Sequence, residues 1–409
     1  MKTVLSLFSG CGGMDLGFEG GFSVHKSSIN RRIHKVRVTK SSGEWIKLPK
    51  NEFSIVFAND ILREAKAAYV PFFSKRGSTH PFYSDSIVDL VKKAKEKSFN
   101  FPHADVVIGG FPCQDFSLAG KRLGFNSSKS HTGQRYIDIP NEENRGTLYI
   151  WMKKVIEIVK PKVFIAENVK GLASLGEVKK IIENDFRNIG KGYYVLDAKI
   201  LHAANYGVPQ TRERVIFIGF NKKYLSKKTL NALETGLIDP YPPKTHNLPG
   251  ENYDNLEEYV SLLNVLKDLP EPDEAKDLAQ KEFSKAKYYG KHVQGQIEVD
   301  LNSLGPTIRA EHHGNIEFRR LPLEYGGRYK EEIINGKSPR RLTVRECARI
   351  QTFPDDYQFI RSKSELGEDF TLSPSSAYKV IGNAVPPLLA YNIAFQLQNI
   401  WDIIFSEDI

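Results

Sequence analysis

Residues 105–120 read DVVIGGFPCQDFSLAG. A short β-branched run passes directly into two glycines, a proline and a cysteine, and that succession decides the fold. An apolar run bounded by turn residues suits a strand buried on both faces, the kind a parallel sheet uses. Pro112 fixes φ and removes a backbone donor, so the loop behind the strand is held in place. Cys113 is then displayed where a buried strand ends.

Comparable runs recur at Thr3–Phe8, Ser54–Ala58, Lys162–Ala166, Val195–Leu201 and Arg214–Phe220, with amphipathic stretches such as Gly146–Val159 and Glu177–Asn188 between them. This alternation predicts an α/β fold, an open Rossmann-like sheet with helices on both faces. Ligands of such sheets sit beyond the carboxyl ends of the strands. The first four strands are followed by SGCGG, ND, GGFPCQ and ENV, so all four clusters face one edge. The last two runs are joined by HAANYGVPQTRE, short enough for an antiparallel return that brings Arg212 and Arg214 to the same edge.

The chain has 409 residues, 40% of them hydrophobic, enough for a sizeable core and two domains. Its 58 Lys and Arg against 49 Asp and Glu leave a net charge of +9. A basic surface suits a polyanion, and a merely soluble basic protein is the plain alternative. Three cysteines, at 11, 113 and 347, are too few and too scattered for a disulfide framework or a zinc cluster. A reducing compartment and no metal are expected. The apolar run in MKTVLSLFSG is too short for a secretory segment, and no later run approaches about 18 apolar residues, so no membrane is expected and the protein should be cytoplasmic, or nuclear.

The expected organisation is a catalytic and cofactor-binding domain over 1–220, a smaller irregular domain over 221–339, and a segment over 340–409 that returns to the first domain. A basic insert at about 24–51 interrupts the first domain. Its alternation in HKVRVTK and EWIKL around SSG predicts a hairpin, either a phosphate-contacting arm or a solvated insertion. Pro-rich joints (DPYPPK, LPEPD) and a charged helical stretch, DEAKDLAQKEFSKAK, mark the irregular domain. RLTVRECARIQTF then reads as a helix, and YKVIGNAVPPLLAYNIAFQLQNIW as a loop plus an amphipathic helix.

At the shared edge, FSGCGG lies between a strand and a helix, so its glycines permit close backbone approach and the helix start favours an anion; a plain connection is the alternative. Asp60, in FAND, stands where a Rossmann-like site places a carboxylate on ribose hydroxyls, although an exposed strand-end Asp also serves as a cap. Together they suggest an adenosine-bearing cofactor. Cys113 is a free thiol in a Gly- and Pro-bounded loop, where a nucleophile competes with an inert structural cysteine. Glu167, leaving an apolar strand, is positioned for partial desolvation and a raised pKa. Two arginines in QTRER suit a grip on a carbonyl or a phosphate. Thiol, acid, cations and adenosyl cofactor together point to addition to a polarised ring.

The ordered set FSGCGGMDLGF, GGFPCQDFS, ENVKGL, QTRERVIFIG, RRLTVRECARIQTFPDDY and YKVIGNAVPP resembles the motifs of the cytosine-C5 DNA methyltransferases, those of bacterial restriction-modification systems among them. The resemblance covers the chain apart from the basic insert and the irregular domain. It implies that the Cys113 thiolate adds to C6 of a cytosine turned out of its duplex while Glu167 holds or donates a proton at N3. C5 then takes the methyl group of S-adenosylmethionine, leaving S-adenosylhomocysteine, and loss of the C5 proton expels Cys113. Arg214 and Arg212 would orient the base and its flanking phosphate, with Gln114 and Ser117 in the loop closing over the nucleotide.

For the cofactor, the resemblance implies Phe8, Gly10, Cys11 and Gly13 around the methionine and adenine, Asp60 on the ribose and Ile61 against the adenine. Pro112 would lie near the sulfonium, and Asn383 would close the pocket. The family's Gly-Asp-Ile turn is replaced by SDSIVDL, which leaves Asp85 or Ser86 beside the adenine amino group. The irregular domain corresponds to the target-recognition region, with Thr307 supporting it and Arg309, His312 and His313 as candidate DNA contacts. Cys347 is assigned to packing, and Arg345 and Arg349 to DNA or to carboxylates. Double-stranded DNA is the expected partner, a cognate endonuclease would act independently, and a monomer is expected. A transfer-RNA methyltransferase of the same architecture and a non-catalytic DNA-binding homologue are the rival readings.

Overall fold

The computed structural model describes residues 1–35, 43–112, 148–173, 176–310, 315–361 and 372–406. The main sheet is formed by β1 (Lys2–Leu7), β4 (Phe53–Asn59), β5 (Phe82–Tyr83), β6 (Val106–Gly110), β7 (Val163–Val169), β8 (Tyr193–Val195), β9 (Lys199–His202) and β10 (Glu213–Asn221). Two short pairs lie outside it: β2 (Ser23–His25) with β3 (Trp45–Lys47), and β11 (Phe318–Arg320) with β12 (Arg340–Arg341).

The order across the sheet is β5-β4-β1-β6-β7-β10-β8, with β9 also on β10. Neighbours from β5 to β7 are parallel, and β10 runs antiparallel to β7, β8 and β9. The chain turns from one side of β1 to the other between β5 and β6, so the sheet's switch point lies between the carboxyl ends of β1 and β6. FSGCGG and the Phe111–Pro112 step leave the sheet at that point.

The central strands are buried on both faces, as their continuous apolar runs require. One apolar cluster packs Val4, Ile55, Ile108, Ile165 and Ile218 under the first helix (Gly13–Glu19) and the last (Pro387–Phe405). The opposite face packs Leu5, Val107, Phe164 and Phe217 under the helices Ile87–Lys95, Leu148–Val159 and Gly176–Arg187. Gly17 allows the first and last helices their close approach: a Cβ there would lie 2.4 Å from the Ala390 Cβ. The stretch Pro374–Phe405 is long and apolar enough to cross a membrane by composition, and most of it is buried inside the fold.

Three expectations are corrected. The run Val195–Leu201 is two strands separated by Leu196–Ala198, because β8 and β9 pair with opposite ends of β10. EWIKL does form a strand, but β3 pairs with Ser23–His25, and the Arg31–His34 helix stands where HKVRVTK begins; residues 36–42 lie outside the described residues. YKVIGN is helical, ending the helix Pro374–Asn383, whose Ser373 cap accepts from the Ser376 amide.

Where it is described, the insert is packed against the rest of the fold. His246 Nε2 and the Ser27 carbonyl are 2.8 Å apart, Asn30 donates to the Thr245 carbonyl (3.0 Å), and Trp45 Nε1 donates to Asp268 (3.1 Å). The Arg349 guanidinium covers the Trp45 ring at 4.4 Å. Segments far apart in sequence are thereby braced against the insert. Between β10 and β12 the helices among the described residues are all short, and the apolar residues Tyr241, Val260, Leu262, Ile308 and Ile316 of this region join the cluster beneath the sheet.

Candidate active site

Parallel pairing of β6 with β7 sets Gly110 opposite Glu167. A Cβ at Gly110 would lie 2.7 Å from Glu167 Oε2, so only glycine lets the acid occupy this place at the end of β6. The next residue on β7, Asn168, donates to the Phe111 carbonyl at 3.1 Å. That bond fixes the backbone immediately before Pro112. Cys113, Gln114 and Ser117 lie outside the described residues.

Glu167 is buried, and its Oε1 is 2.6 Å from Arg214 Nε, itself nearly buried. Burial raises the Glu167 carboxyl above the usual range, while the charges of Arg214 and Arg212 pull it down. A carboxyl so balanced can hold a proton or give one up close to a cation.

Arg212 behaves differently from its expected role. It is 0% exposed, so it has no surface to offer a base or a phosphate. Its Nη1 donates to the Ile308 carbonyl and its Nη2 to those of Gly382 and Ala384, each at 2.8 Å. Arg212 ties the segment before β10 to GPTIRA and to GNAV.

At the end of β1, Phe8 (φ 51°) and Gly10 (φ 55°) both take left-handed backbone conformations. For an aromatic residue that is strained backbone, of the sort found where a loop is shaped for a ligand. A Cβ on Gly10 would meet nothing within 4 Å, so there is open space above the loop. Gly13 packs so closely on GNAV that its Cβ would lie 2.2 Å from the Val385 carbonyl oxygen.

Asp60 accepts from the Gly10 amide (2.9 Å) with Oδ2 and from the Leu62 amide (2.8 Å) with Oδ1, and burial raises its carboxyl. Each oxygen retains a lone pair for a vicinal diol. Ile61 beside it is 41% exposed, an aliphatic surface suited to a ring face. Pro112 is half-buried, and Asn383 is exposed at the end of its helix. These residues fit a nucleoside-bearing cofactor.

Other expected contacts are otherwise engaged. The Cys11 thiol is fully buried against the Val380 carbonyl (3.3 Å) and burial drives its pKa up, so the position offers a cofactor only backbone. The Ser86 hydroxyl accepts from the Val88 amide as a helix cap, and Asp85 pairs with Lys93 at 2.9 Å. Thr307 Oγ1 donates to the Thr211 carbonyl at 2.7 Å. Arg309, expected to contact DNA, instead pairs with the buried Glu317 at 2.9 Å. His312 and His313 lie outside the described residues. Cys347 is buried, and Arg345 and Arg349 take carboxylates, Asp277 and Asp268, each at 2.6 Å.

Sequence reasoning passed over a buried polar chain beneath the first loop. Ser9 Oγ and Ser6 Oγ are 2.8 Å apart, Ser6 donates to Asp15 Oδ1 (2.7 Å), Tyr69 donates to Asp15 Oδ2 (2.7 Å), and the Tyr69 hydroxyl is 2.8 Å from His80 Nε2. The signal was present in FSGCGGMD, where an acid interrupts the apolar face of a helix. It also passed over Gln210 and Gln351, which hydrogen-bond at 2.6 Å and join the Ile350 and Ile381 carbonyls.

The profile of the family described as C-5 cytosine-specific DNA methylase matches residues 2–399. The chain is 32% identical to the Type II methyltransferase M.BspRI of Lysinibacillus sphaericus over 402 residues, which cover 96% of this chain and 80% of that protein. It is also 32% identical to the Type II methyltransferase M.BsuRI of Bacillus subtilis, over 99% of this chain and 81% of the other. Among solved structures, the methyltransferase EhMeth of Entamoeba histolytica shares the fold with a TM-score of 0.54 at 15% identity, covering 98% of this chain and 99% of that one.

Proposed function

The chain belongs to the C-5 cytosine-specific DNA methylase family and is a DNA cytosine-5-methyltransferase; from that premise we propose that it methylates a cytosine turned out of a specific duplex sequence, through a covalent bond from Cys113 to C6. The observation that carries this reading is the Glu167–Arg214 pair, seated against Gly110, three residues before Cys113 in the chain. Cytosine C5 is a poor nucleophile until electrons are pushed into the ring. Addition of the Cys113 thiolate at C6, with the Glu167 proton held at N3, makes C5 electron-rich. Arg214 keeps Glu167 oriented and steadies the charge that develops beside it. Loss of the C5 proton afterwards restores the double bond and returns the Cys113 sulfur as leaving group.

S-adenosylmethionine, the methyl donor of the family, supplies an electrophilic methyl group and leaves as S-adenosylhomocysteine. Asp60 would hold its ribose diol, Ile61 its adenine, and the Phe8–Gly13 loop with Asn383 its methionine end. Removal of the base from the stack follows from the chemistry, since the faces of C6 are not reachable inside a duplex. The region over 221–339 would recognise the target, and the modification would protect host DNA from a cognate endonuclease.

The test is trapping. Duplex DNA carrying 5-fluorocytosine at the target, with the methyl donor bound, should give an adduct that survives a denaturing gel. Labelled methyl transfer into duplex DNA and not into transfer RNA separates the two nucleic-acid readings. Absence of the adduct from an enzyme active on ordinary DNA would overturn the covalent route.

A further inference from the structure

Sequence discrimination needs side chains that reach base edges from a backbone that does not yield when they do. One segment after β10 meets both conditions. Residues 285–297 read KAKYYGKHVQGQI, with three lysines, one histidine and no acid. Tyr289 is 63% and Val293 42% exposed, and Lys291, His292 and Gln294 are exposed with them. Such a segment complements a polyanion.

Its backbone is gripped from beneath by one buried guanidinium. Arg341, 1% exposed, donates from Nε to the Ala286 carbonyl (3.0 Å), from Nη2 to Lys287 (2.8 Å), and from Nη1 to Gly295 (2.7 Å) and to Ile316. Both feet of an arch are thereby fastened to one side chain. The Tyr289 amide closes onto Gln296 Oε1 at 3.0 Å, and the Tyr288 ring stacks on Tyr325 with centroids 4.5 Å apart. Gly295 (φ 75°) is required where the arch lands, since a Cβ there would lie 1.6 Å from the Asn315 oxygen.

The arch is also coupled to the catalytic edge. Gln296 donates to Asn315 Oδ1 (3.3 Å) and Arg309 pairs with Glu317, while Ile308 and Thr307 on the same segment are tied to Arg212 and Thr211 at the start of β10. We infer that the arch over 288–294 reads base edges of duplex DNA, with Lys291 and His292 as the reading side chains and Arg341 as their positioning residue. This rests on the proposed function. An ammonium group only donates, so O6 and N7 of guanine are the natural targets of Lys291.

The experiment uses full-length enzyme on a pool of randomised duplexes, with methylated positions read by bisulfite sequencing. Wild type is compared with Lys291→Ala/His292→Ala and with Arg341→Lys, and S-adenosylmethionine affinity is measured for each. The expected result for the double variant is a roughly ten- to hundredfold loss of discrimination at one or two positions of the recognised sequence, with cofactor affinity unchanged. Arg341→Lys should relax those same positions. Unchanged preference in an active double variant overturns the inference, as does a uniform loss over all sequences, the mark of phosphate contact. A wild-type enzyme that methylates no duplex overturns the proposed function, which an intact preference in the variant does not touch. Should Arg341→Lys fail to fold, the surface double variant decides alone.

Discussion

Glu167 and Arg214 meet on the diagonal of the antiparallel pair β7–β10, two residues out of register, with Oε1 and Nε 2.6 Å apart. Diagonal neighbours on one face of a sheet lie within reach of long side chains. The sheet thus holds an acid and a cation together at the edge where Phe111 and Pro112 follow β6.

Glu167→Gln preserves shape and removes the ionisable carboxyl proton. Turnover should fall by about 10² to 10⁴ with cofactor affinity retained, as labelled methyl transfer and calorimetry would register. Because burial raises the Glu167 carboxyl, the limb of the pH–rate profile it governs should lie above the ordinary glutamate range and vanish in the variant. A wild-type rate in Glu167→Gln would exclude the acid from the reaction.

Cys113→Ala should cost at least ~10⁴ in rate, about 5.4 kcal/mol, while S-adenosylmethionine still binds. Single-turnover assays at saturating DNA measure it. Appreciable residual methylation contradicts the covalent route.

Arg212→Met should act on stability before chemistry. It strands the buried carbonyls of Ile308 and Gly382, each costing about 1–3 kcal/mol when left unsatisfied, while that of Ala384 keeps the Gln351 amide at 3.1 Å. A melting temperature lowered by several degrees is the expected sign. Unchanged melting with lost turnover would return Arg212 to the reacting base.

Burial pushes the Asp15 carboxyl up to about 7 from 3.8, with hydrogen bonds from Ser6 and Tyr69 working against the rise. The folded state therefore binds a proton that the unfolded state releases between these values, so this contribution to stability is full below 3.8 and is lost as pH rises through 7. Asp15→Asn should flatten that decline, by a few kcal/mol at most, in denaturant titrations from pH 4 to 8. Parallel curves for variant and wild type would show that Asp15 does not titrate there.

DNA affinity should weaken with salt, each phosphate contact adding about 0.9 to the slope of log affinity against log salt. Binding isotherms across a salt series supply that slope. A flat response would remove charge as the source of affinity.

Much of the fold was legible in residues 105–120 and the runs like it. β1, β4, β6, β7 and β10 start and stop within a few residues of their apolar runs, because a strand buried on both faces writes itself as a continuous run between turn residues. The helix Arg63–Lys75 was harder to see, with Pro71 inside it. The pairing of β2 with β3 brings together segments about twenty residues apart, and nothing local specifies it.

The candidate site divides in the same way. Local sequence placed Phe8, Asp60, Glu167 and Arg214 at the carboxyl edge, since each follows or opens a strand whose direction the pattern sets. It did not separate Arg212 from Arg214, two like residues two positions apart. Their fates depend on what packs over them: the carbonyls of Ile308, Gly382 and Ala384 enclose one, and the acid on the neighbouring strand takes the other. Strand identity and edge position are properties of short stretches and were determined by sequence alone. The partner of a buried charge is set by chain segments far away in sequence, 96 to 172 residues for the carbonyls around Arg212, and only the tertiary structure decides it.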